Sequence, residues 1–179
     1  MRPGPHSARG PRSSPARTLS IAEQRARLAF AWPQLRSEIR RSGPSAILVC
    51  RGALRPTPVT CVYAIRLEYA VGQPPIAIVE APLLLGRPDG GEIPHMYPAG
   101  DRWPARPCLY YPGDGDWVAD RPLATTIVPW LLEWLIHYEV WLTTGEWCGG
   151  GVEHGPISSS ALGETAPDAA TLPAAVPAP

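Results

Sequence analysis

The sequence predicts a single α+β domain, an antiparallel β-meander flanked by an N-terminal and a C-terminal helix. Three observations lead there. Apolar residues recur at helical intervals near each end of the central region, and three apolar or alternating runs joined by short turns lie between them. The 24 prolines and 17 glycines gather at the chain ends and in the central loops, which marks a loop-rich fold. At 179 residues with such ends, the chain has room for one core of roughly 130 residues.

Residues 1–18 are Pro, Arg, Ser and Gly with almost nothing to bury, and they read as a disordered tail. Ser20 and Glu23 have the spacing of a capping box, and Leu28, Trp32, Leu35 and Ile39 follow at helical intervals. They predict a first helix, kinked or split at Pro33 and ended by Gly43-Pro44. Ala46 to Cys50 is a short apolar run suited to a buried strand, with its cysteine in the core. After a turn over Arg51 to Pro58, the segment from Val59 to Tyr69 alternates, putting Val59, Cys61, Tyr63, Ile65, Leu67 and Tyr69 on the inner face. Ile76 to Glu80 is the third strand, closed by Pro82, and three strands in sequence make a meander.

A long loop region begins at Gly86, with Cys108 to Tyr111 as its extended piece. The strongest periodicity follows from about Pro122 to Thr143. Ile127, Trp130, Leu131, Trp134, Leu135, Tyr138, Trp141 and Leu142 form a wide apolar stripe, and the helix begins or bends at Pro129. Gly145 stops it, and Trp147 to Gly151 is a glycine-rich exit. The domain so defined runs over 19–154, and 155–179 reads as a second disordered tail.

Composition removes several function classes. Sixteen arginines balance sixteen acids, so no field of one sign favours nucleic acid or an anionic membrane. The sequence lacks the apolar run of a signal peptide or a membrane span, which leads to the expectation of a cytoplasmic protein. Lysine is absent. That fits a GC-rich genome, given the abundant Arg, Ala and Pro, and it also fits a protein-modifying enzyme that avoids tagging itself. There is no G-x-S-x-G elbow, no glycine-rich phosphate loop and no H-E-x-x-H. No cofactor is implied. A metal site from Cys108, Cys148, His95 and His154 can be written down, but the spacing does not recommend it.

Chemistry concentrates between His95 and Trp117. Cys108 follows Pro107 in a Pro- and Gly-bounded region, unlike Cys50 and Cys61 on apolar runs, so it is the candidate nucleophile; the plainer alternative is a small buried residue at a strand start. His95 could act as a base, a ligand or a hydrogen bonder pinning the loop. His137, four residues after Glu133, is expected to make a helix-surface pair.

The order helix, meander, histidine-bearing loop, cysteine, tryptophan, helix resembles the ubiquitin-conjugating enzyme fold over roughly residues 20–145. In that family an H-P-N motif precedes the active cysteine and a tryptophan follows it before the central helix. Here His95 precedes Cys108 by thirteen residues, Cys108-Leu109 reproduces the C-L pair of that family's cysteine segment, and Trp117 follows by nine. The segment Pro74 to Pro82 resembles the third strand and its closing proline. The run C-L-Y-Y-P-G, then W, then P-W-L-L-E-W-L-I-H-Y-E-V-W-L and T-G-E-W-C-G-G-G, is similar to the small ubiquitin-conjugating-like proteins of bacterial cyclic-oligonucleotide antiphage signalling systems (CBASS).

The resemblance implies cysteine-dependent protein conjugation through a thioester on Cys108, with His95 pinning the loop and Trp117 packing under the start of the helix. It also implies partners: a cGAS-like nucleotide cyclase or its C-terminal tail, an activating enzyme or preactivated acyl donor, and an acceptor amine on a protein. The H-P-N asparagine is missing, because Met96 and Tyr97 follow His95. Tyr97, a backbone N–H near Cys108, or Tyr110 could replace it as oxyanion donor. Asp114, Asp116 and Asp120 are the candidates for the acid that deprotonates the incoming amine, and Asp101 to Arg106 looks like an insertion. Cys148 could serve as a second acyl acceptor. The rival readings are a non-catalytic binding module of the same fold and a cysteine-dependent deconjugating hydrolase.

Overall fold

A computed structural model describes residues 17–42, 45–97, 104–111 and 115–150. Helix α1 (Ile21–Ala31) leads into strands β1 (Arg36–Ser42), β2 (Ser45–Leu54), β3 (Tyr63–Ala70) and β4 (Ile76–Ala81). After the central loops, a short 3₁₀ turn over Leu123–Thr125 precedes helix α2 (Ile127–Thr144). The four strands form one antiparallel sheet in the order β1-β2-β3-β4, the expected α+β class with one more strand than the sequence reading gave.

The extra strand comes from the end of the expected first helix. The capping box forms as read: the Glu23 N–H donates to Ser20 Oγ, and the Ser20 N–H donates to the Glu23 carboxylate. The helix nevertheless ends at Ala31 and not beyond Ile39, because Pro33 disfavours helical backbone at Trp32, which sits at φ −134°. Leu35 is buried and Ile39 is part of β1, paired with Leu48. Their four-residue spacing imitated a helix, and the hydrogen bonds of β2 decided otherwise. Gly43 and Pro44 lie outside the described residues.

The predicted inner face of the second run holds for Tyr63, Ile65, Leu67 and Tyr69, all buried, but fails before them. Val59 is 94% exposed and Cys61 is exposed. Here the Thr60 hydroxyl accepts from the Thr57 N–H at 2.8 Å and donates to the Thr57 carbonyl at 2.9 Å. This side-chain turn takes over backbone groups that a strand would use, so β3 starts only at Tyr63. Cys50 lies in the core as read.

One face of the sheet packs on α2. The predicted stripe buries Ile127, Leu131, Trp134, Leu135, Tyr138 and Trp141, each apolar side chain contributing about 1.5–3 kcal/mol. Pro129 falls in the first turn, where its missing N–H leaves no bond unmade. Gly145 ends the helix in the left-handed conformation at φ 84°. Helix α1 holds the approach to α2 through Gln24, which is fully buried. Its side-chain amide donates to the Arg121 carbonyl at 3.0 Å and accepts from the Leu123 N–H at 2.8 Å. Trp32 Nε1 donates to the Ala124 carbonyl at 2.8 Å.

No helix among the described residues is long and apolar enough to cross a membrane.

Candidate active site

The site is built on the loops between β4 and α2. Residues 95–97 and 105–108 run antiparallel: the Tyr97 N–H donates to the Arg106 carbonyl at 3.0 Å, and the Cys108 N–H donates to the His95 carbonyl at 2.7 Å. The pair is tied to the sheet because the Val79 N–H of β4 donates to the Ala105 carbonyl at 2.9 Å. The extended contacts therefore fall at Ala105 and Pro107, just before Cys108, and not over Cys108 to Tyr111 as expected. Arg106, at the end of the apparent insertion, belongs to this pairing, while 101–103 lie outside the described residues.

His95 pins the loop through its backbone. Its φ of 51° is in the left-handed region, which costs a non-glycine residue about 1–2 kcal/mol. Its carbonyl offsets this by accepting two hydrogen bonds, from the Cys108 N–H and from Trp134 Nε1 of α2 at 3.1 Å. One carbonyl thus joins the cysteine loop to the central helix.

Cys108 is partly exposed, with Sγ 3.7 Å from the Tyr110 carbonyl. Burial first, and then hydrogen bonding and charge from the Cys108 side chain, push the Tyr97 phenol up to about 12. Burial and the charge of Cys108 likewise push Tyr110 up to about 12. Both phenols therefore keep their protons, and their capacity to donate, at neutral pH. The Tyr110 hydroxyl is directed to the Pro75 carbonyl at 3.5 Å.

Cys108 and His95 line one cleft of about 460 Å³. Aromatic rings make up much of its wall: Tyr110 and Trp130 lie 5.8 Å apart, and Trp134 and Trp147 lie 5.7 Å apart. Trp147 reaches the cleft because Gly145 turns the chain back after α2, and its ring lies 5.3 Å from His95 and 5.8 Å from His137. Gly149 makes this return possible, since a Cβ there would stand 2.7 Å from Trp147 Nε1 and 2.8 Å from His137 Cδ2.

Among the expected residues, Asp116 also lines the cleft. Trp117 packs edge-on against Tyr69 of β3 at 5.7 Å and lies 6.5 Å from Tyr110. Asp120 has one buried carboxyl oxygen without a hydrogen-bond partner and is not on the cleft wall. Asp114 lies outside the described residues, as does His154. Cys148 is exposed, beside the cleft-lining Trp147 but not itself in the lining. Among the described residues no group of three or more His, Cys, Asp and Glu could hold a metal ion.

Sequence reasoning missed the α2 wall. Trp130, Glu133, Trp134 and His137 all line the cleft, and the expected Glu133–His137 pair forms at 3.9 Å on that wall, not merely on a solvated helix surface. The signal was available, for these positions follow the i, i+3, i+4, i+7 ridge next to the buried stripe.

An N-terminal helix, a four-stranded antiparallel meander, a cysteine on the loop that follows and a C-terminal helix behind it define a ubiquitin-conjugating-like protein. The sequence model of the Type II CBASS E2 proteins matches residues 24–155, well over half of the chain. The chain belongs to that family. No curated protein matches it.

Proposed function

We propose that Cys108 carries an acyl group as a thioester and passes it to an amine on a target protein. The acyl donor is the C-terminal carboxyl of a partner cGAS-like nucleotide cyclase, activated by a partner enzyme, because this chain has no ATP-binding signature of its own. In the loading step the Cys108 thiolate attacks the activated carbonyl, the C–S bond forms, and the activating group leaves with its bonding pair. In the transfer step the amine nitrogen attacks the thioester carbonyl, and Sγ leaves as the C–S bond breaks.

The observation that carries this reading is the anchoring of Cys108. Its backbone N–H is held at 2.7 Å by a carbonyl that α2 also grips, while its side chain stands at an open cleft with the Tyr97 and Tyr110 phenols close enough to feel its charge. A purely structural cysteine needs no such arrangement. His95 positions the loop through its carbonyl. Tyr97 takes the place of the missing asparagine, because its phenol is close enough to feel the charge of Cys108 and would donate to the oxyanion that develops there.

The test is incubation with the cyclase and its activating partner. A reductant-sensitive adduct that is lost in Cys108→Ala is expected. Partner binding that survives in Cys108→Ala, with no adduct formed by the native chain, would instead establish a binding module. Cleavage of a preformed conjugate without net transfer would point to the hydrolase.

A further inference from the structure

We infer that Glu133 and His137, on the α2 wall of the Cys108 cleft, form the site for the acceptor amine, with His137 removing the proton from an incoming lysine ε-ammonium. This rests on the thioester reading of Cys108 and names a group for the step that the aspartates of the preceding loop were expected to perform.

The cleft suits a lysine side chain. Trp130, Trp134 and Trp147 line it, and aromatic faces accept both the apolar stem and the cationic head of lysine. The Glu133 side chain is 69% exposed and supplies a carboxylate reachable by an arriving cation, while that of His137 is 22% exposed. The imidazole is held in place, with the Trp147 ring 5.8 Å away and Gly149 closely packed on its Cγ and Cδ2. The separation of 3.9 Å between His137 Nε2 and Glu133 Oε1 exceeds a hydrogen bond, so the carboxylate acts through its charge, compensating the imidazolium that proton uptake creates. Asp116 and Arg121, the other acidic and basic side chains on the cleft besides His95, come from the loop before α2.

The ammonium gives one proton to the neutral His137 ring, and the freed nitrogen lone pair forms the N–C bond to the thioester carbon. The C–S bond breaks and Sγ leaves with its electron pair, taking the second nitrogen proton to become the thiol. The imidazolium returns its proton to solvent. Because the chain contains no lysine, no ε-amine of its own competes for this position.

The experiment loads the full chain with a synthetic acetyl-glycyl-glycine thioester, maps the adduct to Cys108 by peptide mass spectrometry, and follows its discharge by free lysine and by hydroxylamine. Hydroxylamine is uncharged near neutral pH and needs no base to become a nucleophile. His137→Gln is expected to slow lysine discharge by about tenfold or more while hydroxylamine discharge stays within about twofold. Glu133→Gln, at a more exposed position, is expected to slow lysine discharge less, with hydroxylamine again unaffected. Equal slowing of both nucleophiles by His137→Gln, unchanged lysine discharge in that variant, or a loss confined to Asp116→Asn each overturns the inference while leaving the thioester intact. Failure of Cys108 in the native chain to load overturns the thioester reading itself, and the inference with it.

Discussion

In the proposed mechanism Tyr97 takes over the role of an asparagine of different shape. An asparagine would donate an amide N–H to the developing oxyanion, and the Tyr97 phenol, held protonated by burial, offers an O–H from a different backbone position. Tyr97→Phe keeps the ring under Arg106, whose guanidinium carbon lies 5.3 Å from its centroid, and removes only the hydroxyl. Transfer from the loaded cysteine is expected to slow roughly 10- to 100-fold, with the melting temperature little changed, measured by single-turnover discharge. An unchanged rate would assign the oxyanion to another donor. Cys108 and His95 were legible because their residue types and spacing stand out in the sequence. His137 was not, because a helical spacing cannot say which loop will pack opposite the ridge that carries it. Cys61 misled for a related reason: strict alternation placed it inside, but the Thr57–Thr60 side-chain turn intervened.

At the level of elements, α1 braces the segment that leads into α2. Gln24 satisfies the Arg121 carbonyl and the Leu123 N–H just before α2 begins, so Gln24→Met would leave both groups without those partners. A loss of about 2–4 kcal/mol is expected in denaturant unfolding, and a loss under 1 kcal/mol would mean that water replaces the amide. Gly52 of β2 allows the segment joining α1 to β1 to cross closely, since a Cβ there would stand 2.4 Å from the Gln34 carbonyl oxygen. Gly52→Ala is expected to cost about 1–3 kcal/mol by the same measurement. The α2 helix was legible almost to its ends because its apolar stripe is long and wide. The β1 strand was not, because Leu35 and Ile39 carry too little pattern to outweigh a helical spacing, and its pairing with β2 is non-local.

Across the whole molecule, five tyrosines are shifted in one direction. Tyr63, Tyr69, Tyr97, Tyr110 and Tyr138 are all pushed above the ordinary value of 10.0, with burial the first cause in each. The unfolded chain would release these protons near pH 10, before the folded chain does, so it binds fewer protons between about 10 and 12 and stability falls with rising pH. The melting temperature is expected to hold below pH 10 and to drop above it, with the phenolate absorbance of these five rings appearing together with unfolding. Ionisation of these five rings at pH 10 in a chain that stays folded would contradict their burial.

Conjugation chemistry at Cys108 is tested most directly by trapping the intermediate in two chemical forms. Mass spectrometry of the native chain after incubation with the cyclase and its activating partner is expected to reveal an adduct on Cys108 that thiol reductant removes. With Cys108→Ser the same donor is expected to form an oxyester that survives the reductant. An adduct that maps to Cys61 or Cys148, or one that persists unchanged in Cys108→Ala, would contradict acyl transfer through Cys108.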